Sequence, residues 1–535
     1  MLEKEFCLLH EPWIRVIKKD GETTEVSLLD LFRHAPELQR LTGELPTQDV
    51  AVLRLLLAIL HVVFERYDMN GRWAPFASPA DALKHWKDLW NRDSFPMQII
   101  EDYLLHYEDR FYLFHREFPF YQIAGMDKAT EYTAGKLNGE LSESGNKIRL
   151  FPQRTGDSKA ALSYSEASRW LLYVNAFDDT SSKPKGKNLP SPGVGWLGKL
   201  GLIMAAGSNL FETLLLNLIF LKDGGNELWG EEEPIWEAER VKLDERTKIT
   251  LPDNPSAILT LQSRRLLLKR QGDLVIGYFL LGGDFIAKEN AFVEQMTVWR
   301  NAAKKDTDRP EYHPRRHDPL RQLWRDFSTL VGQGGSGHCP GVISWIARLK
   351  SENMLSDSHV RFQTAAVKYG DKDFFVNDVF SDSLSFNADL LTSLGENWTI
   401  RIVDEIETAD KLVRQVGLLA QNLAQAAGDG DGSGQKNMAR EQAYFRLDMR
   451  FRRWLEGIDP ERDSMNDACT QWWEQEKRIV RALGRELINQ TGLKAFVGRS
   501  KVDSKKKKEY HYSAPEAYNQ FLYRTSNREA LKKGE

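Results

Sequence analysis

Between residues 183 and 201 the chain reads KPKGKNLPSPGVGWLGKLG, with five glycines, four lysines and no acid anywhere from Thr180 through Phe211. Glycine lets a backbone approach a partner closely because no Cβ intervenes, and lysine supplies the charge that a phosphate backbone attracts. The pattern suits a nucleic-acid groove. It also suits a solvated surface turn whose glycines supply positive φ and whose lysines keep it soluble, so the choice rests on the rest of the chain. Basic residues recur in three further tracts. One holds Arg264, Arg265, Lys269 and Arg270; a second runs from Arg300 through Lys304, Lys305, Arg309, Arg315, Arg316 and Arg321 to Arg325; the third, residues 494–508, carries Arg499, Lys501 and four consecutive lysines. A single tract of this kind is ordinarily a solvated face. Three of them beside the loop, on a chain of net charge −4 with 73 basic and 77 acidic residues, point to segregated charge, the footprint of phosphate binding by local patches.

Catalytic signatures are poorly supported. Residues 332–337, from Gly332 to Gly337, satisfy G-x-G-x-x-G, but the preceding LRQLWRDFSTLV has helical patterning and Pro340 falls where the following helix would begin. A dinucleotide site needs a strand before that turn and a helix after it. A nucleotide-dependent enzyme built on this loop is the alternative reading. Asp429, Asp431, Ser433 and Gly434 imitate the opening of a calcium loop, yet Arg440 stands where the bidentate glutamate belongs. His313 and His317 have the spacing of two helical metal ligands, with Pro314 between them. No Ser, Cys or Lys nucleophile lies in a recognised signature, so the expectation is a non-enzyme without cofactor. Cys7, Cys339 and Cys469 form no C-x-x-C pair, which removes a disulfide framework and a cysteine-rich zinc site and fits a reducing, cytoplasmic setting.

The elements that must position these residues follow from patterning. A length of 535 residues predicts two or three domains, and 41% hydrophobic with 28% charged residues is an ordinary globular composition. Residues 6–26 read as a strand and hairpin unit around Lys18, Lys19, Asp20 and Gly21. Val50, Leu53, Leu57, Leu60 and Phe64 form the apolar face of a helix capped by Thr47. FYLFHREFPFYQ at residues 111–122 reads as an extended aromatic wall, and residues 202–221 as a buried helix rather than a membrane span, because Ser208, Asn209, Glu212, Thr213 and Asn217 interrupt it. The opening MLEKEFCLLHEPW lacks the pattern of a signal peptide. From residue 245 to 385 short alternating runs predict mixed α and β structure. Beyond Leu394 the pattern becomes helical: Ile402, Ile406, Ala409, Val413, Val416, Ala420 and Leu423 form one seam, Tyr444, Leu447, Phe451, Trp454 and Ile458 a second, Trp472, Trp473, Ile479, Leu483 and Leu487 a third. Ser513 and Glu516 predict a capping box for a fourth helix. The expected fold class is α+β, a large mixed N-terminal domain over 1–394 followed by a C-terminal four-helix bundle over 395–535.

Several segments in order carry a resemblance: EFCLLHEPWIRV at 5–16, FYLFHREFPFYQ at 111–122, LTLQSRRLLL at 259–268, RHDPLRQLWRDF at 316–327 and the helical tail. Together they resemble CasA, the large-subunit family of the type I-E CRISPR Cascade complex, over nearly the whole chain. The resemblance implies a non-catalytic protein that recognises the protospacer-adjacent motif in the minor groove of double-stranded target DNA. It further implies that the chain helps start unwinding, works with other Cascade subunits and their guide RNA, and recruits a nuclease-helicase. A purely structural assembly scaffold is the other reading. Residue by residue, the resemblance implies a motif-contacting loop at 149–156 with Phe151, Gln153 and Arg154. It implies a minor-groove glycine loop with Lys183, Lys185, Gly186, Lys187, Asn188, Gly193 and Gly195, a wedge at 369–373 tipped by Lys372 or Asp373, and a basic finger at Lys288. Some relatives carry a zinc site of two cysteine pairs; this chain has neither, so no metal is expected. A glutamine found at the wedge of some relatives has no clear counterpart here.

Overall fold

The computed structural model describes residues 4–126, 129–139, 154, 160–181, 183–184, 188–238, 246–302, 310–332, 337–503 and 508–532. The fold is mixed α+β, and the chain divides into two compact units. The first comprises Met1–Arg321 with Thr329–Ser383, the second Gln322–Ser328 with Leu384–Glu535. The sequence pattern puts a boundary at 394/395; the second unit also takes in the preceding turns and a short segment from the basic tract.

In the first unit the expected N-terminal strands are β1 (Lys4–Cys7), β2 (Ile14–Lys18) and β3 (Thr23–Val26), with β4 (Leu38–Leu41) completing a β3-β2-β4 sheet. Helix α1 (Leu28–His34) separates β3 from β4, and β1 pairs antiparallel with β5 (Tyr112–His115), which is the first part of the aromatic wall. Helix α2 (Pro46–Arg66) is buried almost all round, because other elements pack on every side of its Leu, Val and Ile run. It is long and apolar enough to cross a membrane by length and composition, but 94% of that window is buried inside the protein. Its cap differs from the expectation: Leu45 is the N-cap without a side-chain bond, Pro46 occupies the first turn, and Thr47 is interior with an unpartnered Oγ1. Proline at that position needs no N–H, so the hydroxyl cap is dispensable.

Helices α3 (Pro79–Trp90), α4 (Met97–His106), α5 (Ala134–Leu137) and α6 (Tyr164–Phe177) follow, α6 being opened by a complete capping box between Ser163 and Glu166. Residues 202–221 form no single helix. They make β7 (Met204–Ala206), a turn at Gly207, and α7 (Leu210–Leu216). Asn209 caps α7, and Asn217 bonds both the N–H and the carbonyl of Ala205, so the polar residues that break the apolar run are the punctuation of a strand–turn–helix. After α8 (Pro255–Leu259), a three-stranded sheet runs β6-β9-β8 from β6 (Thr130–Thr133), β8 (Arg264–Gln271) and β9 (Leu274–Gly282). Short strands β10 (Trp299–Asn301) and β11 (Tyr312–Pro314) pair with each other. A turn of helix, α9 (Phe327–Leu330), and α10 (Gly341–Ser351) follow, then β12 (His359–Tyr369) and β13 (Val376–Asn387), with β7 beyond β12 in the order β13-β12-β7.

The second unit is built on α11 (Glu396–Ala427), α12 (Ser433–Glu456) and α13 (Met465–Asn489), with α11 packed against both others. All seven residues of the first seam are buried in α11. In α12 Tyr444, Leu447 and Phe451 are buried and Phe451 stacks on Trp324 at 4.3 Å between ring centroids. Asp431, one of the four residues of the calcium-loop imitation, instead accepts from the N–H and hydroxyl of Ser433 at the start of α12. Short α14 (Leu493–Val497) and a hairpin of β14 (Arg499–Asp503) and β15 (Lys508–Tyr512) precede α15 (Ala514–Arg524) and α16 (Arg528–Lys532). Ser513 is the N-cap of α15 but makes no side-chain cap bond, so the expected capping box is not formed.

Leu447 is fully buried at the centre of this packing. Leu447→Ala is expected to cost about 2–5 kcal/mol, the range for a buried leucine truncation with partial collapse of the cavity, read by chemical denaturation of the full chain.

Candidate nucleic-acid interface

The loop from 183 to 201 is held at its base by a buried carboxylate. Asp178, just past the end of α6, accepts from Arg264 Nε at 2.5 Å and lies 2.9 Å from Lys183 Nζ. Arg264 is the first residue of β8, and its Nη2 donates to the carbonyls of Asp178, Asp179 and Gly193, the last at 2.6 Å. The residues leading into the loop and Gly193 within it therefore close on one guanidinium. Burial alone would raise the Asp178 carboxyl, but Lys183, Arg264 and Lys136 outweigh it and hold it down at about 2. Lys136 in turn pairs with Asp179. Lys183, expected to face DNA, is turned inward with its side chain 1% exposed, donating to the carbonyls of Asp179 and Ser181 as well. Burial pushes its ammonium down despite Asp178. That expectation is corrected: a lysine spent on a buried carboxylate and two carbonyls cannot also reach a phosphate.

The glycines divide in the same way. Gly195 is buried, its N–H donates to Asp178 O, and a Cβ there would stand 2.2 Å from the Ala176 carbonyl. It is a packing glycine rather than a contact. Gly198 is likewise filled by Tyr369, whose hydroxyl would be 2.2 Å from an added Cβ and donates to Phe177 O at 2.6 Å. Gly193 is different: it has φ +67° and nothing within 4 Å of where a Cβ would be, so it is left-handed and open. Asn188 is also left-handed, at φ 59°, and exposed. Lys185, Gly186 and Lys187 lie outside the described residues.

The expected wedge lies against this loop. The turn between β12 and β13 has Lys372 and Asp373 at φ 52° and 59°, two consecutive left-handed residues. Thr180, at the loop's base, donates its N–H to Asp373 O and its hydroxyl to Lys372 O, each at 3.0 Å. Arg316 closes the turn with two bonds to the Asp373 carboxylate, at 2.9 and 3.0 Å, and lies over the Tyr369 ring. Asp373 is thus an anchor, which leaves the exposed Lys372 at the tip. Lys288 is exposed. Arg154 is 3.1 Å from Glu166, the capping glutamate of α6, while Phe151 and Gln153 lie outside the described residues.

One lysine of the loop stands apart from the others, and the sequence gives no pointer to it beyond its place there. Lys199 is partly buried, 5.8 Å from the Trp196 ring, and among the described residues no carboxylate pairs with it. Burial first, then Arg264, Arg246, Lys288 and Arg316, push its ammonium down to about 8. Arg246 contributes from the far side, stacked on Phe285 and donating to Pro190 O in the loop. Arg264 and Arg316 are already paired with Asp178 and Asp373, and Lys199, without a paired carboxylate among the described residues, is the member of the group placed to take an anion. Trp196 itself is fixed from the core, its indole N–H donating at 2.8 Å to Glu294, which also holds Arg54 of α2.

The basic tracts fare less well. Arg264 and Arg265 are buried and paired with Asp178 and Asp284, while Lys269 and Arg270, nearer the surface, pair with Glu131 and Glu5, so every cation of that tract already has a carboxylate. Arg325 binds Asp410 inside the second unit. Residues 303–309 and 504–507 are outside those described. The two histidines do not converge: His313 lies beside Glu311 and His317 Nε2 contacts Leu202 O. The centre of the G-x-G-x-x-G motif, 333–336, is outside the described residues, and what precedes it is helical.

The model of the family described as CRISPR-associated protein Cse1 matches residues 8–485. The chain belongs to the Cse1 family. Among curated relatives, the CRISPR-associated protein CasA/Cse1 of Thermus thermophilus is 28% identical over 521 residues, covering 91% of this chain and 95% of that one. Thermobifida fusca Cse1 superposes with a TM-score of 0.84 at 30% identity, covering 99% of both chains, and Acidimicrobium ferrooxidans Cse1 with 0.79 at 25% identity, covering 100% and 99%. A chain of a CRISPR RNA-guided surveillance complex shares the fold at 16% identity and a TM-score of 0.63, over 90% of this chain and 99% of that one.

Asp178→Ala leaves Arg264 and Lys183 buried without their counter-charge and is expected to cost about 3–5 kcal/mol in chemical denaturation. Lys199→Met should not destabilise the chain at pH 7. Because the folded Lys199 loses its proton at about 8 and an unfolded lysine at about 10.4, the native state gains stability as pH rises between them, and Lys199→Met should flatten that rise.

Proposed function

We propose that this chain is the large subunit of a guide-RNA surveillance complex and reads the protospacer-adjacent motif through the minor groove of double-stranded DNA. The observation that carries the reading is the pair of hydrogen bonds from Thr180 to Lys372 and Asp373, which join the glycine loop and the wedge into one surface beside Lys199 and its neighbouring cations. The minor groove offers a degenerate pattern of donors and acceptors. A bare backbone at Gly193 and Asn188, with one or two cations on the flanking phosphates, accepts several related short motifs and rejects bulkier edges. Opening the duplex beside the motif costs about 1.4 kcal/mol per base-pair step, which guide pairing returns, so a wedge needs only to nucleate separation and no ATP site is required. The contact set is Lys185, Gly186, Lys187, Asn188 and Gly193 of the loop, Lys199 beneath it, Lys372 at the wedge tip, Lys288, and Phe151, Gln153 and Arg154 of the second loop.

The same reading makes the chain non-catalytic and cytoplasmic, assembled with other Cascade subunits and guide RNA and recruiting a nuclease-helicase. Met438, Phe445 and Met449 are exposed on α12, which favours that helix as a docking face for protein neighbours. A scaffold that never touches DNA would account for α12 but not for the cations gathered around Lys199. The nucleotide-enzyme reading is disfavoured by the helical turn at 327–330, where a strand is required.

In the assembled complex, Lys185→Ala with Lys187→Ala should weaken motif-dependent duplex binding and lower the log–log salt slope by about 1 for each phosphate that is no longer neutralised. Gly193→Phe should weaken binding more steeply, because it adds both a strained left-handed residue and bulk at the groove. Undiminished binding in both variants would remove the loop from the interface. Bringing a phosphate to Lys199 raises its proton affinity, so wild-type binding should weaken as pH climbs through about 8, and Lys199→Arg should remove that dependence.

A further inference from the structure

The first unit contains a second group of chemically capable side chains, remote in sequence from the loop and the wedge. His61 and Glu65 are four residues apart on α2, a spacing that puts both on one face of the helix. His61 Nδ1 lies 2.6 Å from Glu65 Oε1. Glu232 comes from the loop before α8, and one ligand atom from each of the three side chains lies within 4.8 Å of the others. All three are enclosed: His61 is 2% exposed, the Glu65 side chain 10% and Glu232 3%.

Two acids facing each other in a dry interior call for compensation, and the cation beside them is shared with a third acid. Arg66, the nearest cation, is committed to Glu237 through two bonds of 2.7 and 3.0 Å, and Glu237 also accepts from the Tyr103 hydroxyl. Arg66 meets Glu232 only at its backbone carbonyl. Ser256 donates its N–H to Glu232 Oε2 at 2.8 Å, whereas Glu232 Oε1 has no hydrogen-bond partner although it is buried.

We infer that His61, Glu65 and Glu232 bind one divalent transition-metal ion, with zinc the cation whose preference for nitrogen and carboxylate oxygen the set fits. A divalent ion, binding as the two acids give up their protons, offsets both carboxylates and gives the orphaned Glu232 oxygen a partner. Ligand bonds of about 2.0–2.2 Å place neighbouring donor atoms roughly 3–3.5 Å apart, so the His61–Glu65 pair opens slightly and Glu232 closes in. The ion would tie α2 to the loop before α8, both in the first unit. It has no relation to the cysteine-pair zinc site of the resemblance. The expectation of no metal rests on the missing cysteine pairs, on Pro314 between His313 and His317 and on Arg440 in the calcium-loop imitation, none of which bears on a His–Glu–Glu set brought together by the fold.

The test uses the purified full chain, dialysed against EDTA, reloaded with zinc chloride, desalted and assayed by plasma mass spectrometry, with thermal melting in parallel. Wild type should retain one zinc per chain and melt higher with zinc than without. Glu232→Gln, which keeps shape and removes charge, and His61→Ala should each weaken zinc binding at least about tenfold and abolish the zinc-dependent melting shift. The alternative, a proton shared between the two glutamates, has a different signature: no stoichiometric zinc, and Glu232→Gln at least as stable as wild type in EDTA and in zinc alike. That result, or full zinc retention by Glu232→Gln, would overturn the inference. Should His61→Ala fail to fold, Glu232→Gln alone decides.

Discussion

A carboxylate sealed from water will take whatever positive charge can reach it, and at Asp178 two arrive from opposite directions. Arg264 comes from the edge of a sheet and Lys183 from the opening of the glycine loop. With both in place the carboxyl stays ionised, and the guanidinium has donors to spare for the carbonyls of Asp178, Asp179 and Gly193. One buried ion cluster thereby sets where the loop leaves the core and where it returns. The wedge depends on the same node at one remove, since Thr180, two residues on from Asp178, holds the backbone of Lys372 and Asp373. Such clusters contribute little net stability relative to an apolar core, but they impose one geometry, because any other arrangement leaves a charge unpaired.

The division of labour among like residues follows from that constraint. Lys183 and Lys199 are both in a loop without acids, yet one has a carboxylate and the other is surrounded by cations. Gly195, Gly198 and Gly201 are tight because backbone or a tyrosine fills the place of a side chain, whereas Gly193 is open. A surface that reads a groove by shape needs this combination: a rigid base, a bare segment above it, and positive charge held ready for a phosphate.

Much of the architecture is legible in the residues. The seam of α11, the aromatic second and third helices, the N-terminal hairpin and the mixed region before them all follow from the period of burial, which is local. The glycine-lysine loop is legible as a feature. The fate of its individual charges is not, because Lys183 finds its carboxylate in the residues just before it only once Arg264, from a distant strand, has closed the pocket. Arg264 and Arg265 read as a basic tract for the same reason: sequence shows the charges, and only the fold brings up Asp178 and Asp284. The run 202–221 reads as one helix only if its polar residues are interruptions, whereas in the fold Asn209 is a cap and Asn217 a strand clasp. His61 sits inside an apolar helical run and Glu232 inside three consecutive glutamates, each unremarkable alone. Their meeting is purely tertiary.

The claim on which most rests is that the open stretch around Asn188 and Gly193, together with Lys372, lies in the minor groove of the target. Site-specific photocrosslinkers at positions 188 and 372, placed in the assembled complex and challenged with a duplex carrying its adjacent motif, measure this directly. Both positions should crosslink to nucleotides of the motif or its immediate flank, and both signals should fall when the minor groove there is blocked by a groove-binding ligand. Crosslinks from both positions to protein neighbours alone, with the duplex captured elsewhere, would contradict it.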